Sequence, residues 1–248
     1  MKLVRFCYSN SIYKGFLSGD EVVVDIPGKG DERIKFSNVT LLAPVEPSKI
    51  VSVGLNYKDH AEELDMAIPG EPVIFIKPST AVIGPEDVIA YPRSSKRVDY
   101  EGELGVVIKD RVRDVSAGEA AKHIAGYTCF NDVTARDLQK KDIQWGRSKS
   151  FDTFAPVGPW VETDIDPADL RIKTYLNGEL KQDSRTSEFI FSVPELVSFI
   201  SGVMTLLPGD VISTGTPPNV GAMEPGDEVT VEIGGIGYLR NRVEKEKA

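Results

Sequence analysis

A chain of 248 residues with 41% hydrophobic and 27% charged residues can bury a sizeable core and has the balance of a globular protein, which excludes a disordered or fibrous polymer. Its net charge of −9 argues against binding nucleic-acid phosphates or an anionic membrane surface, and no run approaches the roughly 18 apolar residues of a membrane span. The N-terminal MKLVRFCYSNSIYKG has no apolar core followed by a small-residue cleavage site, so no secretory signal is read and the expected location is cytoplasmic.

KLVRFCYS, SIYKGFLSG and EVVVDI read as strands separated by Asn10, Gly19-Asp20 and the turn PGKGDE at 27 to 32. They suggest a small N-terminal β domain over residues 1–45. The prolines of APVEPSK, 43 to 49, mark the boundary, and 46–248 reads as the second, catalytic domain. Cys7 and Cys129 sit in apolar strand-like stretches without CxxC spacing, which predicts buried, reduced thiols.

KIVSVGLNY, 49 to 57, is a buried strand, after which KDHAEEL makes one or two helical turns with His60 and Glu63 on one face. EPVIFIKPST is a strand stopped by Pro78, and VIAYP is another. VDYEGELGVVI, 98 to 108, alternates as a strand, with Tyr100, Leu104, Val106 and Ile108 on one face and Glu101 and Glu103 on the other. SAGEAAKHIAGY, 116 to 127, has Ser116 and Glu119 at capping-box spacing, which predicts a helix carrying His123. TCFNDV is a strand with Asp132 near its end, and TARDLQKKD is a short helix on which Arg136 and Gln139 share a face. WGRSKSFDTFAPVGPWV reads as a long loop of the kind that carries function.

Asn177-Gly178 between alternating runs predicts a hairpin. SVPELVSFISGVMTL predicts a core helix from its Ser192/Glu195 capping box, Pro194 and the stripe Val193, Leu196, Val197, Ile200 and Met204. Short strands with Gly/Pro turns follow to the polar tail EKEKA. Strands outnumber helices and hairpin signals exceed βαβ signals, so the predicted class is α+β and largely antiparallel.

Two acids at i, i+2 on a strand repel unless water or a cation intervenes. Glu101 and Glu103 therefore have two readings, the solvated face of a strand or a cation site. The spacing permits Asp132 to join them, and three carboxylates would form a hard oxygen site suited to Mg²⁺ or Mn²⁺. His60 with Glu63 is either an exposed helix pair or a carboxylate-oriented general base. Lys149, Arg136 and the Gly-Thr-Pro turn at Thr216 are the candidates for balancing an anionic substrate.

Taken together, GLNYKDHAEE at 54 to 63, FIKPST at 75 to 80, DYEGELGVVI at 99 to 108, GYTCFNDVTARDLQ at 126 to 139, KSFDTFAPVGP at 149 to 159 and STGTPPNVG at 213 to 221 resemble, in order, the motifs of the fumarylacetoacetate hydrolase superfamily. The resemblance implies a β-roll catalytic domain, a homodimer, and Glu101, Glu103 and Asp132 as ligands of Mg²⁺ or Mn²⁺. It also implies His60 and Glu63 as a water-activating dyad on a lid that orders with substrate, Lys149 as a catalytic cation, and Arg136, Gln139 and Thr216 as substrate-binding residues. The implied function is a C–C hydrolase or decarboxylase of 2-oxo acids (acylpyruvates, oxaloacetate) working through a metal-chelated enolate. The alternative within the family is a 2-hydroxyhepta-2,4-diene-1,7-dioate isomerase or 5-oxopent-3-ene-1,2,5-tricarboxylate decarboxylase. A metal-binding β protein without turnover is the alternative of another class.

Overall fold

A computed structural model describes residues 1–26 and 30–247, so the first half of the PGKGDE turn, residues 27 to 29, lies outside the described residues. Among the described residues one large sheet runs from Gly30–Lys35 at its edge through Glu21–Ile26, Ser11–Ser18, Lys2–Tyr8, Ala155–Glu162, Ile124–Asn131, Gly102–Ile108, Val211–Ser213 and Lys49–Val53 to Ile74–Pro78. A second sheet has the order Glu179–Arg185, Arg171–Leu176, Glu228–Ile233, Gly237–Lys245, Val88–Tyr91, and a third joins Thr134–Ala135, Val98–Tyr100 and Gly221–Met223. Most pairings are antiparallel. The parallel ones join Val211–Ser213 to Lys49–Val53, Gly237–Lys245 to Val88–Tyr91, and Val82–Ile83 to Ala155–Glu162. The fold is α+β, as the hydrophobic pattern predicts.

The main core lies where Leu104, Val106 and Ile108 of the large sheet meet Leu196, Val197 and Ile200 of the helix Val193–Val203 and Val231, Ile233 and Leu239 of the second sheet. That helix carries its capping box, with Ser192 N donating to Glu195 Oε2 at 2.7 Å. The Asn177-Gly178 hairpin is also present. Both turn residues have positive φ, 53° and 79°, as a two-residue turn between right-twisted strands requires. The N-terminal strands keep a cluster of their own, Val4, Phe6, Val22, Val24 and Ile34, and continue the large sheet through Lys2↔Glu162 and Leu3↔Val161.

Three local expectations need correction. The predicted helix over 116–127 is only the turn Ala117–Ala120 and a 3₁₀ turn to His123, without a bond from the Ser116 hydroxyl. Ile124 onward pairs with Gly102–Ile108 instead, because tertiary β-pairing outweighs a weak helix signal. The expected long loop contains a helical turn, Gly146–Lys149, and a buried strand, Ala155–Glu162, hidden by prolines that ordinarily argue against an inner strand. Cys129 is buried, but Cys7 is only half-buried; both are free thiols.

Asp210 ties the segment after the boundary prolines to this framework. Its buried carboxylate accepts the Ser48 N–H (2.9 Å) and hydroxyl (2.7 Å), the Leu207 N–H (2.9 Å) and the Lys49 ammonium. Burial acts to raise its pKa, but Lys49, Ser48 and Leu207 prevail and hold it below the usual carboxylate value. A depressed carboxyl stabilises the fold above its unfolded pKa and loses that contribution as pH falls through the folded value. Asp210→Asn is therefore expected to lower stability at pH 7 by about 2 kcal/mol. Urea unfolding should show the gap to the parent chain closing as the solution is acidified below the usual carboxylate range.

Candidate active site

Glu101 sits at the break between Val98–Tyr100 and Gly102–Ile108, which belong to different sheets. Its backbone N–H donates to Asn131 Oδ1 at 3.0 Å, and its carbonyl accepts the Asp132 N–H at 2.9 Å. This cross-strand bond carries Asp132 to the acid pair. The carboxylate oxygens of Glu101, Glu103 and Asp132 lie within 4.8 Å of one another. Their exposures of 6%, 1% and 1% exclude a solvated strand face. Gly102, between the two glutamates, has no room for a side chain, since a Cβ would collide with Thr174 Oγ1.

Glu103 is fixed from one side only. Its Oε2 accepts the Ser213 hydroxyl and the Gly215 N–H, the latter at 2.8 Å, while Oε1 has no hydrogen bond among the described residues. Gly215 has φ 95°, and a Cβ there would lie 2.9 Å from that of Asn56. Glycine alone lets the chain bring this N–H to the carboxylate. Asn56 holds the turn by donating to Thr214 O at 2.8 Å and accepting Phe191 N–H at 2.8 Å.

Cations surround the acids, with Lys77 and Lys149 buried. Lys149 Nζ donates to Glu101 Oε2 at 2.8 Å and Asp132 Oδ2 at 2.6 Å. Lys77 Nζ donates to Asp132 Oδ1 and, at 3.1 Å, to Val133 O. Arg136 donates to Asp99 at 2.9 Å, to Gln139 Oε1 at 2.5 Å and to Glu101 Oε1, and Arg97 brackets Asp99 from the other side at 2.8 and 3.2 Å. The four acids Asp99, Glu101, Glu103 and Asp132 thus face the four cations Arg97, Arg136, Lys77 and Lys149. A divalent cation would leave positive charge for an anionic substrate.

The fields separate the two glutamates. Burial would raise the Glu101 carboxyl, but Lys149 and then Arg136 hold it at about 2. Burial, Asp132 and Glu101 push Glu103 well above the carboxylate range. Burial works against the Lys149 ammonium, yet Asp132 and Glu101 raise its pKa; at Lys77 burial prevails and the pKa falls.

His60 and Glu63 lie on the helix Lys58–Glu63, with His60 Nδ1 2.7 Å from Glu63 Oε2. They form a pair at the rim of a cavity of about 480 Å³ that is also lined by the three acids, Lys149, Arg136, Gln139, Thr216, Leu64, Met66, Phe75 and Trp145. The nine residues singled out from sequence, except Glu63, all line it; Glu63 reaches it through His60. The Thr216 hydroxyl is engaged below the cavity, donating to Gly102 O at 3.0 Å and accepting from Gln182 at 3.0 Å. His123 pairs instead with Asp110, at 2.6 Å, away from this site.

The donor set fits a divalent cation: hard carboxylate oxygens, close together, buried, one of them open at Glu103 Oε1. Sequence reasoning missed Lys77, although a lysine inside the apolar run VIFIKP was a signal of a buried charge with a partner. Lys77→Met should leave Asp132 short of a partner and destabilise the cation-free protein by about 3 kcal/mol. Thermal melts with and without Mg²⁺ should show the added cation recovering part of that loss.

The family model for the fumarylacetoacetate (FAA) hydrolase C-terminal region matches residues 49–244. The chain is 45% identical over 220 residues to oxaloacetate tautomerase FAHD2B, mitochondrial, of Bos taurus, covering 84% of this chain and 70% of that protein. The structure of 2-hydroxyhepta-2,4-diene-1,7-dioate isomerase from Mycobacterium marinum is similar over 100% of both chains, with TM-score 0.91 and 44% identity. That of maleylpyruvate hydrolase from Sphingobium sp. SYK-6, in complex with manganese (II) ion and pyruvate, is similar over 100% of both chains with TM-score 0.84 and 30% identity. Among the described residues no helix is long and apolar enough to cross a membrane. A family match over most of the chain and relatives this similar along its length leave one conclusion: the chain belongs to the fumarylacetoacetate hydrolase family of enzymes.

Proposed function

We propose that the protein is a Mg²⁺- or Mn²⁺-dependent enzyme of small 2-oxo acids that shifts a proton between their enol and keto forms. The single observation that supports this is one cavity joining the Glu101, Glu103 and Asp132 carboxylates to a His60–Glu63 pair. A bound divalent cation would supply Lewis-acid stabilisation of negative charge on the substrate's oxygens. Glu101, Glu103 and Asp132 are its ligands in this proposal, and the manganese-bound hydrolase relative is consistent with such a cation.

The remaining chemistry belongs to the chain. Glu63 holds His60 through Nδ1, which leaves Nε2 to take a proton from substrate carbon or water and return it. Lys149, held between two acids, offsets charge that develops on the substrate. Gln139 accepts from Arg136 with its carbonyl and so keeps its amide N–H groups for a carboxylate or oxo oxygen. Arg136 and, since its hydroxyl proton is given to Gly102 O, Thr216 through its backbone N–H complete the substrate side. Residues 1–45 are read as an added β domain and 46–248 as the catalytic one, acting as a cytoplasmic homodimer.

Proton shift is placed first because the relatives at 44–45% identity are named an isomerase and a tautomerase, and the named hydrolase is at 30%. C–C hydrolysis or decarboxylation, the reaction expected from sequence, is the second reading, because the intact dyad also suits activation of water. Incubation with Mn²⁺ and, separately, oxaloacetate, acetylpyruvate and 2-hydroxyhepta-2,4-dienedioate decides between them. Loss of the enol absorbance without change of mass supports the first reading, and cleavage products of lower mass support the second. No effect on any of the three overturns both.

A further inference from the structure

The dyad is held from a second direction. Glu63 Oε1, the oxygen not used by His60, accepts the backbone N–H of Asn219 at 3.0 Å. Asn219 has a left-handed backbone, φ 69°, a conformation that asparagine tolerates better than most residues. Its carbonyl accepts the hydroxyl of the buried Tyr100 at 3.2 Å. Tyr100 is in register with Gly221, where a Cβ would lie 2.6 Å from that hydroxyl, so only glycine leaves the ring its path. Gln182, also buried, donates to Thr216 Oγ1, Pro217 O and Pro218 O at 3.0, 2.8 and 3.2 Å while accepting the Gly102 N–H at 3.0 Å. The segment from Thr216 to Gly221 therefore rests on Tyr100 and Gly102, the residues on either side of Glu101.

We infer that the Asn219 N–H is a positioning group for the His60–Glu63 dyad, and that Tyr100 and Gln182 set its place from the strand that presents Glu101 and Glu103. The inference rests on the role given to the dyad above. Glu63 is 36% exposed on a six-residue helix without a side-chain cap, so a carboxylate bonded only to His60 is free to rotate. A second, charge-assisted bond removes that freedom and fixes the imidazole. Base and acid cluster are then aligned by one piece of backbone.

Two experiments test this. Amide hydrogen exchange reads the contact without turnover: Glu63→Ala should speed exchange at Asn219 by roughly tenfold and leave Gly102–Ile108 unchanged. Unchanged exchange at Asn219 would overturn the contact. Steady-state kinetics on enol-oxaloacetate then read the coupling. Tyr100→Phe should lower kcat by about threefold to tenfold with KM and Mn²⁺ affinity unchanged, and should have no further effect in a His60→Ala background. An equal loss in both backgrounds, or weakened Mn²⁺ binding, overturns the positioning role. If the parent chain acts on none of the three substrates, the proposed function fails, and the exchange experiment alone decides whether the contact exists.

Discussion

Glu103→Ala is expected to abolish divalent-cation binding and all turnover. Glu103 lines the cavity, with its Oε2 held by Ser213 and Gly215 and its Oε1 without a hydrogen bond among the described residues. Truncation removes one of three ligands and also strands two donors that point at it. Partners one step outside a metal's ligands are worth about 10- to 100-fold, so loss of a ligand itself should exceed that, to roughly 10³-fold or more in both cation affinity and kcat. Glu103→Gln separates charge from shape. Its amide oxygen can still accept from Ser213 and Gly215, so the turn stays seated, but the site loses a negative charge. The Gln variant should melt near the parent temperature and still fail to bind Mn²⁺ by calorimetry. Full turnover by the Ala variant with Mg²⁺ present would remove the three acids from the proposed role.

How far this site could be read in the sequence varied with the distance over which it is assembled. The Glu101/Glu103 pair was legible because a strand's period of two puts both on one side without any knowledge of the fold. His60 and Glu63 were legible for the same local reason, three residues apart on one helical turn. Asp132 was different. Its approach depends on a backbone bond to Glu101 across 31 positions of chain, which periodicity does not encode; its place at a strand end permitted it as a third acid, and the resemblance of successive motifs implied it. Lys77 lay in a motif already noted, yet a lysine ahead of a proline looks like the end of an apolar strand. Its partner is 55 residues away. The β class followed from alternation and the Asn177-Gly178 turn, whereas the strand Ala155–Glu162 did not, because Pro156 and Pro159 interrupt the signal. The Thr216–Gly221 support of Glu63 is made of backbone groups, which side-chain patterns do not report.

His60→Ala should divide the reactions that this cavity can host. Proton shift needs a group that accepts a proton at one substrate atom and returns it at another, and hydrolysis needs one that takes a proton from water. Loss of a positioned general base costs roughly 10² or more in either case. Decarboxylation of oxaloacetate needs neither, since breaking the carbon–carboxylate bond itself delivers the electron pair, and Lys149 is the chain's group that offsets the charge that develops. The variant is therefore expected to lose about two orders of magnitude in tautomerisation and in acylpyruvate hydrolysis while losing much less in CO₂ release. Glu63→Gln should follow the same pattern at a smaller cost, because it weakens the orientation of the imidazole without removing it. The measurement is kcat for the three reactions in parent and variants, with enol decay followed by absorbance and pyruvate and CO₂ by product analysis. Equal losses in all three would mean that His60 shapes the cavity rather than moving a proton.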